Sequence, residues 1–404
     1  MFESQHGRRL GARETVALLA GLMAMNAFAI DAMIPALPDI GAELGVEEDN
    51  RRQLVVIAYM LGFGSTQLLW GPLADRFGRK PILAAGIALY TLFALLCGLA
   101  SSFALLIAAR FAMGASAAVS RVLVVAMVRD LFEGEEMARV MSLTFMVFMV
   151  VPVIAPSIGQ GVLLLGPWRL IFLALAAYGL VIGLWSALRL PETLHSEYRR
   201  PLKAGPILEA MAATLKDRLS LGYTVALTAT FGGLTAYIAS IQQIVFDVFR
   251  EPAAIGLVFG AIAAPMALAS WANSRIVGRF GVRRVGHAGL AAFSVFILLH
   301  AGIALAIDEP LWLFVLLMAL AFVGFAFTTA NLSTLAMTNM APIAGTASSV
   351  QGVIGTIGGA AVGFGIGQAF DGTTLPFLIG LAACALVAAA AVLVTERGRP
   401  FAAL

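Results

Sequence analysis

The sequence predicts an all-α polytopic membrane protein with twelve transmembrane helices, and three observations support this fold class. Of its 404 residues, 60% are hydrophobic before its 41 glycines are counted, and only 12% are charged. The mean hydropathy is +0.93, whereas a soluble domain carries about 25% charged residues to cover its surface. Long apolar runs also recur along the chain. This composition excludes a soluble enzyme, a nucleic-acid-binding protein and a disordered chain.

Twelve apolar segments are each long enough to cross a bilayer, which takes about 20 helical residues. Their approximate boundaries are 15–37, 53–74, 82–101, 103–128, 138–163, 168–190, 219–246, 253–275, 285–306, 310–332, 344–368 and 373–394. The charged stretch 191–218 predicts a cytoplasmic linker between a first bundle, residues 1–190, and a second, residues 219–404.

The two halves also share short motifs. Residues 75–80 resemble residues 278–283 at an offset of 203, and residues 158–160 match 366–368 at an offset of 208. Parallel repeats of this kind are typical of secondary transporters. The sequence therefore predicts two six-helix pseudo-repeats.

The basic residues predict the orientation of these helices. With the N-terminus inside, 20 of the 26 lysines and arginines fall on the cytoplasmic side, 4 fall outside, and Arg110 and Arg121 lie within a span. Both termini are therefore expected in the cytoplasm. An alternative is a signal peptide cleaved after Ala27-Phe28-Ala29, but cleavage would remove one helix of the repeat.

Several motifs narrow the class of protein, and together they cover most of the chain. They are Gly71-Pro72-Leu73-Ala74-Asp75-Arg76-Phe77-Gly78-Arg79-Lys80, Ala109-Arg110-Phe111-Ala112-Met113-Gly114, Arg121, Val128-Arg129-Asp130-Leu131-Phe132, Ala138-Arg139-Val140-Met141-Ser142 and Ala155-Pro156-Ser157-Ile158-Gly159. The chain resembles the major facilitator superfamily and, within it, the drug:proton antiporters of the Bcr/CflA type. Gln160 stands where that group usually has a second glycine. The resemblance implies helices arranged around a central cavity, and export by alternating access.

Asp31 is the single carboxylate within the twelve predicted spans. Ionisable groups in the hydrocarbon region are costly, which makes Asp31 a functional candidate. Both Asp31 and Arg110 lie about 10 Å below the outer ends of their spans, as the rise per residue indicates. The pair is predicted to couple transport to proton movement. The alternative is a static buried ion pair that only holds helices together.

Two further groups of charges suggest roles in binding and gating. Arg121 lies eleven residues after Arg110, on the same helix face, where it either binds substrate or extends toward water. By the resemblance, a cytoplasmic latch that stabilises the outward-open state is formed by Gly71, Asp75, Arg76, Gly78, Arg79 and Asp130. The second repeat has Gly278 in place of Asp75, so the latch is expected to be stronger in the first half; solvated loop charges are the alternative.

Small residues and prolines predict close helix packing. Gly355, Gly359, Gly363 and Gly367 recur every four residues, and such stripes let helix backbones approach each other in lipid. In the fifth span, Pro152 and Pro156 remove backbone donors and Gly159 follows them. By analogy with the family these helices meet between the halves, either as a moving contact or as static packing.

Polar and aromatic residues of the predicted spans are candidate substrate contacts. They are Asn26, Phe28, Tyr59, Phe63, Ser116, Ser120, Arg121, Phe145, Phe148, Tyr237, Gln242 and Asn331. With one acid and two arginines in the spans, neutral, zwitterionic or weakly charged amphipathic compounds fit better than a polyvalent cation.

The sequence also excludes some mechanisms and leaves others open. It has no Walker A motif, no HExxH motif, and two cysteines, Cys97 and Cys384, that are far apart, so neither an enzyme nor a cofactor or metal is expected. The resemblance implies a monomer in the bacterial inner membrane that exchanges protons for a small molecule and binds no nucleic acid. Export of drugs, export of a natural metabolite such as an amino acid, and a non-transporting receptor are the three functions considered.

Overall fold

The computed structural model describes residues 2–3, 9–132, 134–194 and 204–399. Within them a two-residue β-ladder pairs Phe2–Glu3 with Arg9–Leu10, and nearly all other ordered segments are helical. The helices are α1 Ala12–Asp31, α2 Leu37–Glu43, α3 Leu54–Phe77, α4 Arg79–Gly98, α5 Phe103–Leu131, α6 Gly134–Leu163, α7 Arg169–Arg189, α8 Ala204–Lys216, α9 Arg218–Gln243, α10 Ile255–Phe280, α11 Val282–Ala306, α12 Leu311–Ala336, α13 Ala344–Gln368 and α14 Leu375–Thr395.

Helix length and composition support the predicted polytopic membrane fold. Eleven segments of the described chain are long and apolar enough to cross a membrane, and α6 adds the apolar stretch Val150–Leu163. Large apolar side chains are also exposed on many of these helices, including Leu99, Leu188 and Leu257. Such surfaces suit lipid rather than water. The predicted all-α polytopic fold class is confirmed.

The chain divides into two compact units, Met1–Lys203 and Ala204–Leu404. The first unit holds α1 to α7, and the second holds α8 to α14. The stretch 191–218, predicted as a linker, contains the thirteen-residue helix α8, which belongs to the second unit.

The first predicted span, 15–37, is not one continuous helix. Helix α1 ends at Asp31, a short 3₁₀ turn Ile34–Ala36 follows, and α2 begins at Leu37. Pro35 and Pro38 stand in the first turns of these two elements. Because proline has no backbone N–H, it fits a first turn but interrupts a helix interior. The break leaves Asp31 at a helix terminus.

A glycine reverses the chain at equivalent places in the two units. Gly78 joins α3 to α4 with φ of 105°, and Gly281 joins α10 to α11 with φ of 83°. These left-handed conformations are accessible to glycine without steric cost. The two positions are separated by the 203 residues of the sequence repeat, so the repeat is visible in the backbone conformation as well.

Glycines also permit close backbone contacts in the first unit. A Cβ atom on Gly62 of α3 would collide with the carbonyl group of Phe111 of α5, and one on Gly114 of α5 would collide with that of Tyr59. A Cβ on Gly159 of α6 would collide with the carbonyl of Ala32, beside the end of α1. The fifth-span glycine therefore packs directly against the segment that carries Asp31.

The glycine stripe of α13 divides between a packed part and an open part. A Cβ on Gly359 would lie 2.6 Å from Phe231, and one on Gly363 would lie 2.6 Å from Thr235, so both glycines face α9 of the same unit. Gly355 has no atom within 4 Å of such a Cβ. Helix α6 continues through Pro152 and Pro156.

In each unit, polar side chains join the first long helix to the last. Arg189 at the end of α7 donates two hydrogen bonds of 2.6 Å to the carboxylate of Glu14 in α1. In the second unit, the hydroxyl of Tyr223 in α9 donates to Glu396, the residue after α14. Arg283 of α11 lies 3.3 Å from the same carboxylate. We call these contacts the end clamps of the two units.

Candidate functional site

Asp31 lies at the C-terminal end of α1 in the interior of the first unit. Its side chain is 3% exposed, and its Oδ1 atom has no hydrogen-bond partner among the described residues. Buried carboxylates normally have hydrogen-bonded or charged partners, and buried polar atoms without partners merit a functional explanation. The position therefore combines burial with an unused acceptor atom.

Arg110 of α5 is fully buried and joins α5 to two neighbouring helices. Its Nε donates to the carbonyl oxygen of Val55 in α3 at 2.9 Å, and its Nη1 donates to that of Ala29 in α1 at 3.0 Å. The guanidinium lies over the ring of Tyr59, 4.5 Å from its centroid. Across the described chain no ion pair joins Arg110 to Asp31, and the Nη2 atom of Arg110 lacks a hydrogen-bond partner.

Three predicted substrate contacts form one polar network beside Arg110. The amide of Asn26 in α1 donates to the hydroxyl of Ser120 in α5 at 2.7 Å. The hydroxyl of Tyr59 in α3 donates to the amide oxygen of Asn26 at 3.1 Å. All three side chains are buried. The network places polar side chains from three helices in one region of the first unit.

An aromatic pair extends this region along α3 toward Arg121. Tyr59 and Phe63 stack with ring centroids 6.4 Å apart, and the guanidinium of Arg121 lies 6.0 Å from the centroid of Phe63. Arg121 is half-buried, whereas Arg110 is fully buried. The two arginines of α5 therefore each contact one ring of the same aromatic pair.

The remaining candidates of the first unit lie elsewhere. Phe28 packs against Tyr178 of α7, with ring centroids 5.7 Å apart, and Ser116 donates within its own helix to the carbonyl of Ala112. The side chains of Phe145 and Phe148 lie outside the described residues. The structure therefore groups Asn26, Tyr59, Phe63, Ser120 and Arg121 with Arg110, and does not place Phe28 and Ser116 in those contacts.

The second unit contains three predicted contacts in two helices. Tyr237 of α9 packs between Phe259 and Phe322, with centroids 5.3 and 5.1 Å away. Asn331 of α12 donates to the amide oxygen of Asn273 in α10 at 2.7 Å. Gln242 of α9 is buried, and neither polar atom of its side chain has a hydrogen-bond partner in the described residues.

The predicted latch brings three of its charged residues together where α3, α4 and α5 end or begin. Nη1 of Arg79 lies 2.5 Å from Oδ1 of Asp75, and Nε of Arg79 lies 3.3 Å from Oδ2 of Asp130. Gly78 forms the turn that starts α4. Arg76 is exposed and contacts the ring of its neighbour Phe77, outside this cluster. Gly71 lies within α3, where a Cβ would meet Val122 at 3.8 Å.

Glu192, which the sequence did not identify as a site residue, also belongs to this cluster. It lies just after α7, the last helix of the unit. Its carboxylate accepts hydrogen bonds from the backbone N–H groups of Arg79 at 2.9 Å and Lys80 at 3.3 Å. Thr193 donates to Oδ2 of Asp130 at 2.9 Å. A carboxylate at a helix N-terminus satisfies free N–H groups and interacts favourably with the helix dipole. The signal in the sequence was an acid directly after the sixth span.

We expect Glu192→Ala to destabilise the first unit without unfolding it. The substitution leaves the first N–H groups of α4 without their acceptor, a loss of about 1 kcal/mol that lowers the melting temperature by about 2–4 °C in a unit of this size. Thermal unfolding in detergent measures this change. Glu47→Ala, which removes an exposed acid of the same unit, serves as the control and should leave the melting temperature unchanged.

The long apolar helices, with Asp31 and Arg110 buried and Arg121 half-buried among them, define a polytopic membrane protein. Residues 19–363 match the family described as Major Facilitator Superfamily. The chain belongs to this superfamily.

Similar proteins agree with this assignment. The chain is 32% identical to an uncharacterised MFS-type transporter, YdgK, of Bacillus subtilis, over 85% of the chain and 86% of the relative. It is 30% identical to a bicyclomycin resistance protein homolog of Haemophilus influenzae, over 92% and 93%. It is 27% identical to the multidrug resistance protein MdtL of Escherichia coli, over 93% of each chain. The predicted resemblance to the Bcr/CflA-type group is confirmed by these relatives.

The fold also matches a solved structure. The human organic anion transporter MFSD10 (TETRAN) aligns with a TM-score of 0.65 and 19% identity, over 97% of this chain and 99% of that one. This likeness supports the fold.

Proposed function

We propose that the protein is a proton-coupled antiporter that exports small amphipathic drugs or antibiotics from the cytoplasm by alternating access. The observation that carries the proposal is Asp31, a buried carboxylate at a helix end with an oxygen that lacks a hydrogen-bond partner in the described chain. Relatives named for bicyclomycin and multidrug resistance support the substrate class.

Asp31 is the proposed site of proton exchange, and Arg110 is proposed to act on it through α1, whose main chain it contacts. Burial away from water favours the neutral form of a carboxylic acid. Arg110 donates to main-chain carbonyls on α1 and α3, and the α1 acceptor, Ala29, lies two residues before Asp31, so a shift of α1 against α5 changes the burial of Asp31. Substrate binding at the Asn26–Tyr59–Ser120 network contacts these same three helices. Proton release and substrate binding are thereby linked through helix position.

The wider arrangement is proposed as follows. The six-helix bundles 1–190 and 219–404, joined by 191–218, move as the two halves of an alternating-access transporter. Asp75, Arg79, Asp130 and Gly78 form the cytoplasmic latch of the first half. The protein acts as a monomer in the bacterial inner membrane with both termini in the cytoplasm, as the 20 to 4 distribution of basic residues favours.

Substrate-dependent proton movement in inverted membrane vesicles tests the function. An imposed pH gradient is followed with a fluorescent probe while amphenicols, bicyclomycin, lipophilic cations and amino acids are added in turn. Dissipation of the gradient by a drug, and only in vesicles that contain the protein, is the expected result. Dissipation by amino acids alone would instead favour a metabolite exporter, and no response to any compound would contradict proton-coupled export.

A further inference from the structure

The two intramembrane arginines of α5 have different surroundings. Arg110 donates hydrogen bonds to the carbonyls of Val55 and Ala29 and lies between the rings of Tyr59 and Phe172. For Arg121, the described residues supply no hydrogen bond and no ion pair, and its recorded contact is the ring of Phe63. Arg110 therefore donates to the main chain of two helices, whereas the five N–H groups of Arg121 have no acceptor among the described residues.

Arg121 is also more accessible than Arg110, because it is half-buried whereas Arg110 is fully buried. It lies inside α5, ten residues before the helix ends at Leu131. Eleven residues correspond to about three helical turns, so Arg121 and Arg110 lie on the same face of the helix. This face carries the contacts with Tyr59 and Phe63 of α3. The guanidinium of Arg121 thus adjoins the proposed substrate network through Phe63 and Tyr59.

An intramembrane cation that has no counter-ion among the described residues favours a ligand that brings the missing negative charge. A charged group in the hydrocarbon region is costly unless it is paired or hydrated. The planar guanidinium matches a carboxylate through two parallel hydrogen bonds, and such charge-assisted pairs are stronger than neutral ones. Phe63 and Tyr59 stack beside it and are buried, so the apolar part of an amphipathic molecule reaches them when the helices move in the proposed alternating access.

We propose that Arg121 determines substrate specificity, and that it selects amphipathic carboxylates over their neutral counterparts. This inference rests on the proposed export function. The carboxylate binds the guanidinium of Arg121 while the hydrophobic part of the substrate contacts the region of Phe63. Lipophilic cations are disfavoured because they meet a positive charge that no acid of the described chain pairs with.

A pair of compounds that differ only in the charged group tests the proposal. Nalidixic acid and its methyl ester, with chloramphenicol as a neutral reference, are used as probes for transport by reconstituted protein. The native protein is expected to transport the acid in preference to the ester. Arg121→Gln is expected to lower kcat/KM for the acid by about 10- to 100-fold, the range of a charge-assisted bidentate contact, and to change that for the ester and chloramphenicol by less than about twofold.

Two further variants complete the test. Arg121→Lys keeps the charge but loses the bidentate geometry, so its kcat/KM for transport of the acid should lie between those of the native protein and Arg121→Gln. Arg51→Gln removes an exposed arginine of the same unit and should change the transport of neither the acid nor the ester. Size-exclusion chromatography verifies that each variant is folded.

The outcomes separate this inference from the proposed function. Transport of chloramphenicol by native protein, with neither a preference for nalidixic acid nor a selective effect of Arg121→Gln, would overturn the role of Arg121 and leave export intact. An equal loss for acid and ester would also overturn it, because Arg121 would then serve folding or general binding. Absence of transport of every compound by the native protein would contradict the export function itself.

Discussion

Asp31→Asn should abolish drug-dependent proton movement while leaving the protein folded and able to bind drug. The amide has nearly the shape of the carboxylic acid but cannot release a proton. Oδ1 of Asp31 has no hydrogen-bond partner in the described residues, and no ion pair there joins Asp31 to Arg110, so the substitution breaks neither kind of contact. Removing a buried ionisable group also removes a desolvation cost. We therefore expect an unchanged or raised melting temperature and proton flux at the level of empty vesicles.

The measurement pairs a vesicle assay with thermal unfolding of the same preparation. Asp39→Asn, which neutralises an exposed acid in α2 eight residues further on, is the matched control and should retain full coupling. Loss of folded protein in Asp31→Asn would support the static ion pair considered above. Full coupling by the folded variant would mean that the proton takes another route.

Gly114→Ala and Gly62→Ala should each prevent the first unit from packing. At both positions the added methyl group meets the main chain of the facing helix, with the carbonyl carbon 2.8 Å from the new atom. A flexible side chain can move aside, but two helix backbones must separate. Overpacking of this kind costs on the order of 3 kcal/mol or more, and the displaced α3 and α5 carry Tyr59, Arg110 and Arg121. We expect low amounts of folded protein and loss of transport.

Gly161→Ala provides the contrasting substitution. Gly161 lies in α6 near its end, is exposed, and has no atom within 4 Å of an added Cβ. Alanine is favoured over glycine in a helix by about 1 kcal/mol, so this variant should be as stable as the native protein or more so. The yield of monodisperse protein and its melting temperature compare the three variants. Normal stability of Gly114→Ala would show that α3 and α5 do not touch through their backbones.

The sequence predicted the spans well because hydropathy over about 20 residues depends only on local composition. It also singled out Asp31, Arg110 and Arg121, since a charge within an apolar run is visible without a structure. The break after Asp31 was not predicted, although Pro35 and Pro38 signalled it. Local signals therefore explain the features that were predicted, and the two prolines are a local signal for the break that was not.

Other features depend on residues that are distant in the chain. The acceptors of Arg110 are main-chain carbonyls 55 and 81 residues away, and no side-chain pattern reveals them. The same holds for Glu192, whose carboxylate reaches N–H groups more than 110 residues earlier in the chain. Pairing of this type depends on how the helices pack, which periodicity alone does not determine.

The end clamps imply an order in which contacts form during synthesis of the chain. Arg189, the partner of Glu14, follows it by 175 residues in the chain, and Glu396 follows Tyr223 by 173 residues. The Glu14 clamp therefore forms only after α7 has been inserted, whereas Tyr223, whose hydroxyl also lies 3.2 Å from Nε2 of His287 in α11, gains Glu396 only after α14. Each clamp joins two helices of the same half, so the first bundle can close before the second is complete. This matches the general tendency of domains to fold as units during synthesis. A nascent chain that stalls before α7 would leave Glu14 without Arg189 and present quality-control proteases with an incomplete bundle.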